Sequence, residues 1–65
     1  MKILIYEQRV KKNISLRELS SMTGISKTTL NNHENEKTSP TLEQLEKIAK
    51  ALNIKMEDLY DSFFK

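Results

Sequence analysis

The chain has no cysteine, one glycine and one proline among its 65 residues. Without thiols, neither a disulfide framework nor a thiolate metal site can staple it. Stability in so short a chain must come from packing helix on helix. No apolar run approaches the ~20 residues that span a bilayer, and the stretch from Met1 to Ile5 is too short for the apolar region of a signal peptide. A soluble, cytoplasmic protein with no membrane partner is therefore expected. Paired carboxylates, a Cys/His dyad and a metal-ligand cluster are also missing, and a chain of this size builds no deep cleft. No enzyme activity, cofactor or metal is expected. With no internal repeat, linker or low-complexity segment, residues 1–65 read as a single domain.

Net charge is small, +2, but unevenly placed. Residues 1–40 carry +3 and residues 41–65 carry −1. The basic excess in the first part favours a polyanionic partner there.

Apolar residues recur at helical spacing almost throughout, with no sustained alternation of period two after the first few positions. The predicted class is all-α. Ile3, Leu4, Ile5, Tyr6 and Val10 predict a first helix ending near Asn13, which can adopt the left-handed backbone that closes a helix. Ile3 to Tyr6 also suit an extended start. Ser15 opens a second helix, and Glu18, three residues on, completes a capping box. Leu16, Leu19 and Met22 form its apolar side. The only glycine, Gly24, falls where the chain must turn sharply, because it tolerates positive φ. Ser26 then caps a third helix that turns Ile25 and Leu30 inward, with His33 at the edge of the same face.

Lys37 to Pro40 is a connector, since proline disfavours helix at Ser39. Thr41 with Gln44 forms a second capping box. Leu42, Leu45, Ile48, Ala49 and Leu52 then make one apolar stripe along the longest helix. Asn53 can end it in the left-handed region, and Ile54 plugs the core beside that turn. Met56, Leu59, Tyr60 and Phe63 predict a last short amphipathic helix.

The stretch from 15 to 35 carries the functional signal. Leu19, Met22, Ile25 and Leu30 are expected to lock two short capped helices at a fixed angle. Lys27, Thr28, Asn31 and Asn32 are then left pointing outward. Lys suits guanine O6/N7, Asn makes two bonds to adenine N6/N7, and Thr suits a thymine methyl or a phosphate. The helix N-terminus adds backbone donors for a phosphate.

These residues resemble the phage-repressor-like helix-turn-helix domains of the Cro/C1 or XRE type. The resemblance runs from about Ile5 to Leu59. It rests on Arg9, on Ser15 with Leu19, on Gly24-Ile25-Ser26, on Leu30 with Glu34, and on Pro40, Leu42, Leu45, Ile48, Ala49 and Leu52. It implies a compact five-helix, lambda-repressor-like fold whose helix-turn-helix unit spans about residues 15–35. The third helix would lie in the major groove of double-stranded DNA, with two copies on a pseudo-palindrome. Residue by residue, the resemblance implies Lys27, Thr28 and Asn32 as base readers and Asn31 as a secondary one. Ser15, Ser26, Asn35 and Lys37 would hold phosphates. Arg17, on the exposed side of the second helix, could reach the same backbone. Arg9 and Glu34 match a buried ion pair that ties the first helix to the third.

Four positions depart from the family pattern. Leu16 stands where a glutamine often contacts phosphate, so that contact is expected to be lost. Ser20 replaces an alanine between the second and third helices, where its hydroxyl needs a partner if buried. Glu36 stands where glycine follows the recognition helix, at a cost near 1 kcal/mol in a left-handed backbone, and puts an acid close to the phosphate contacts. His33 replaces a larger apolar residue; it is expected at the core edge, within reach of phosphate when protonated.

Tyr60, Phe63 and Phe64 suit either a dimer contact or a completed core. The function expected from all this is a sequence-specific DNA-binding transcriptional regulator. The leading form is a repressor that acts as a homodimer by occupancy and is controlled by its concentration, operator competition or a regulatory protein partner. The competing expectation is a protein-interaction module of the same fold, such as an antitoxin-like or anti-repressor partner with weak DNA binding.

Overall fold

The computed structural model describes residues 1–62, and four α-helices make up most of it. Strand β1 (Lys2–Ile3) leads into α1 (Ile5–Lys11), α2 (Leu16–Thr23), α3 (Lys27–Glu34) and α4 (Leu42–Leu52). A 3-10 turn (Met56–Leu59) and strand β2 (Tyr60–Asp61) follow. Local chemistry sets most of these boundaries. The Ser15 side chain accepts from Glu18 N while the Glu18 carboxylate accepts from Ser15 N, and Thr41 with Gln44 repeats the arrangement at the start of α4. Gly24 (φ 76°) closes α2 in the left-handed region, as Asn53 (φ 56°) closes α4, and Asn13 takes φ 60° after α1.

Three expectations need correction. The fifth helix expected from Met56 onward is replaced over Met56–Asp61 by the 3-10 turn and strand β2, and the fold is not purely helical. The cause is non-local: Tyr60 and Asp61 pair antiparallel with Ile3 and Lys2, and Leu4 N donates to Leu59 O at 2.8 Å. Those backbone groups bond across the chain instead of along a helix, while Leu59 stays fully buried. The same pairing makes the start of the chain extended, so α1 begins at Ile5. Of the three aromatics considered for a dimer contact, Tyr60 is half-buried in β2, and Phe63 and Phe64 lie outside the described residues.

The second correction is Leu42. It is 75% exposed, so the buried stripe of α4 is Leu45, Ile48, Ala49 and Leu52. Leu42 is the first helical residue, and its Cβ tilts toward the helix N-terminus, beyond the packed body. The third is Met22, 52% exposed beside Lys47, Lys50 and Ala51 of α4. Leu19 holds the inward position, and the next inward place on α2 goes to Thr23, whose hydroxyl is used by the turn.

The core gathers Ile3, Ile5, Leu19, Ile25, Leu30, Leu45, Ile48, Ala49, Leu52 and Leu59, so every element except β2 contributes at least one buried apolar side chain. No helix among the described residues is long and apolar enough to cross a membrane.

Candidate nucleic-acid interface

The α2–α3 corner is fixed by packing and by two hydroxyls. Leu19, Ile25 and Leu30 are buried against one another's elements, without Met22. Ser20 Oγ donates to Ile25 O at 2.7 Å, which gives this half-buried hydroxyl its partner. Thr23 Oγ1 donates to Leu19 O at 2.8 Å and accepts from Ile25 N at 3.2 Å. Gly24 between them has no atom within 4 Å of where a Cβ would stand, so its positive φ, not space, calls for glycine.

That corner presents α3 with Leu30 and His33 inward and Lys27, Thr28 and Asn31 exposed; Asn32 is half-buried. Asn31 Oδ1 accepts from Asn35 Nδ2 at 3.3 Å. Ser26 caps α3 by accepting from Thr29 N at 3.1 Å, and its own hydroxyl donates to Thr29 Oγ1 at 2.8 Å. Ser15, Arg17, Ser26, Asn35 and Lys37 are all exposed, on α2, at the start of α3 and on the connector that follows it.

The Arg9–Glu34 pair lies behind this surface. Arg9 Nε donates to Glu34 Oε2 at 2.8 Å and Nη2 to Oε1 at 3.1 Å, a two-pronged contact with side chains only 12% and 6% exposed. A third donor, Nη1, reaches Ile14 O at 3.0 Å, and the guanidinium lies 5.3 Å from the Tyr6 ring centroid. Hydrogen bonding to Glu34 raises the Arg9 pKa against the opposing effect of burial. The pair cancels internally, so the +3 carried by residues 1–40 resides in their remaining, surface charges. On α2 the Glu18 carboxyl is held below its usual range, first by the Ser15 backbone N–H and then by the Ser15 hydroxyl.

His33 is not at the phosphate surface. It is 3% exposed, with Nε2 3.0 Å from Gln44 Oε1 and Nδ1 2.9 Å from Thr38 Oγ1 and 3.2 Å from Thr38 O. Both nitrogens are engaged inside the molecule, which leaves neither for a phosphate. Glu36 takes φ 57°, the strained left-handed backbone that a glycine would enter freely. Among the described residues no cluster of three His, Cys, Asp or Glu side chains is placed to hold a metal ion.

A family model described as helix-turn-helix matches residues 5–59. The chain belongs to the helix-turn-helix family. Its type is the Cro/C1 or XRE one, and the fold agrees with the solved N-terminal DNA binding domain of SinR from Bacillus subtilis. That similarity has a TM-score of 0.80 at 29% identity, over 94% of this chain and 90% of that one. No curated protein matches. The role of Thr38, on the connector beyond this helix-turn-helix unit, had no local signal in the sequence: its hydroxyl meets His33 Nδ1 of α3 only in the fold. Thr23 acts locally, on Leu19 O four residues back in α2 and on Ile25 N two residues on.

Proposed function

We propose that this chain is a sequence-specific, double-stranded DNA-binding transcriptional regulator, acting in the cytoplasm and without enzymatic chemistry. One observation carries the reading: the helix after the Gly24 corner exposes Lys27, Thr28 and Asn31, with Asn32 half-buried beside them. A helix docked in a major groove needs such donors and acceptors there. In this reading Lys27, Thr28 and Asn32 read bases with Asn31 beside them, while Ser15, Arg17, Ser26, Asn35 and Lys37 hold phosphates. Membership of the helix-turn-helix family and the likeness to a DNA binding domain support it.

The finer form is a repressor that binds as a homodimer. One helix of this length reads only a few base pairs, and two copies on related half-sites supply the missing affinity. A groove of about 790 Å³ supports a second copy, lined by Met1, Pro40, Leu42, Met56 and Tyr60 together with Lys55 and Glu57. Met1 and Leu42 are 78% and 75% exposed there. Such an apolar strip favours a protein contact.

The test is binding to sites selected from random DNA, followed by fluorescence anisotropy across a salt series. If Arg17 and Lys37 of two copies neutralise four phosphates, log K falls with log salt at a slope of about −3.6. A slope near zero overturns the reading and leaves the protein-interaction module in its place. A palindromic selected site supports two copies, and Leu42→Glu should then abolish the two-copy complex while leaving single-copy binding to a half-site.

A further inference from the structure

Among the described residues, His33 is the buried polar residue of the core, in the last turn of the helix proposed to enter the groove. Burying an imidazole is costly unless its nitrogens are hydrogen-bonded, and both are. The network also orients the ring. Gln44 Oε1 accepts from Thr41 N at 3.0 Å, so the atom facing His33 Nε2 is an oxygen and Nε2 carries a proton. Nδ1 faces both oxygens of Thr38, the hydroxyl at 2.9 Å and the carbonyl at 3.2 Å; in the neutral ring Nδ1 accepts and the hydroxyl donates to it. One ring thus joins the end of α3, the connector and the first turn of α4.

The connector needs such a tie. Asn35, Glu36 and Lys37 donate backbone N–H groups to Asn31, His33 and Asn32, but Glu36 is held at φ 57°. A non-glycine residue there is strained, and the strain is released if the connector swings away. The Thr38–His33 bond opposes that release.

We propose that His33 is a positioning residue for phosphate binding. Its ring latches Thr38 to α3 and α4 and so holds Asn35 and Lys37 at a fixed reach from the recognition helix. The latch touches no DNA, and it rests on the DNA-binding reading. It sets how strongly the backbone is gripped, whereas Lys27, Thr28 and Asn32 set which bases are preferred.

The experiment compares wild type with His33→Phe, His33→Asn, His33→Gln and Thr38→Val on the selected site, by anisotropy over a salt series. Phenylalanine keeps a planar ring but removes both nitrogens, and it leaves the Thr41–Gln44 cap intact. The expected result is a three- to tenfold loss of affinity, a salt slope shallower by up to about 1.8 as Lys37 is released in both copies, and an unchanged order of base preference. Asparagine offers an oxygen near the Nδ1 position and should restore the slope; glutamine reaches toward the Nε2 position and should not. Thr38 is exposed, so Thr38→Val tests the latch without disturbing the core and should reproduce the shallower slope even if His33→Phe fails to fold. Wild-type affinity and slope in Thr38→Val would overturn the latch. Those results are distinct from failure of the DNA-binding reading, which shows in wild type alone as a slope near zero.

Discussion

Glu34→Ala tests whether the recognition helix depends on a buried charge on another helix. The substitution removes two of the three hydrogen bonds that hold Arg9, at 2.8 and 3.1 Å, and leaves the guanidinium of a side chain only 12% exposed in the intact fold with Ile14 O and the Tyr6 ring as partners. Breaking one side of a buried pair costs about 3–5 kcal/mol, because the remaining charge keeps its desolvation cost and loses its compensation. The Ile14 carbonyl, the ring and the residual exposure all soften that loss, so the lower end, ~3 kcal/mol, applies. A chain of this length has ~3–10 kcal/mol of total stability, and a loss of that size lowers Tm by roughly 12–24 °C. Thermal and urea unfolding followed by circular dichroism measure it. Arg9→Met with Glu34→Leu should recover most of the loss, since an apolar pair of similar volume carries no desolvation penalty. A Tm drop below ~4 °C for Glu34→Ala would refute the reasoning. Base preference at temperatures where the variant is folded should be unchanged.

Replacing Lys27 by alanine should cost ~1–3 kcal/mol on the selected site and relax preference at one base pair, read by anisotropy on a set of single-base variants. Uniform weakening on all sequences would make Lys27 a phosphate contact. Glu36→Gly relieves the left-handed backbone and removes an acid beside Lys37, so it should raise stability by ~0.5–1 kcal/mol and tighten DNA binding. A lower Tm would contradict the strain assigned to that residue. The folded-state pKa of Glu18 is depressed, so its contribution to the α2 cap is full above the ordinary carboxyl value and lost as pH falls through the lower folded one. Hydrogen-exchange protection of the Ser15 amide should therefore be flat from neutral pH to about 5 and decline only in stronger acid. A decline near pH 6 would point to a different group.

What the sequence made legible is local, and what it hid is non-local. Ser15 with Glu18, Thr41 with Gln44, and the left-handed Asn13, Gly24 and Asn53 each act within a few residues, and the structure has all of them. The outward face of α3 follows from the same periodicity. The pairing of Lys2–Ile3 with Tyr60–Asp61 does not: two-residue strands have no period to detect, and their partners lie at opposite ends of the chain. Tyr60 therefore reads as helical in sequence although it stands opposite Ile3 in an antiparallel strand pair. Leu42 and Met22 fail for a related reason, because spacing gives the side of a helix but not where the body ends.

His33 shows how these two kinds of information combine at the candidate site. Its spacing from Leu30 placed it near the core, but its bonds run to Thr38, five residues on, and to Gln44, eleven on. Gln44 was legible only as half of a capping box. Its carbonyl oxygen has two acceptor sites, and the cap uses one. The second lies open to whatever the fold brings alongside. An apolar residue at position 33 would leave the Thr38 hydroxyl without its partner there and the connector tied to α3 by its backbone alone. His33, one of the four positions that depart from the family pattern, thus occupies the point where the recognition helix, the connector and α4 meet, and its chemistry matches all three.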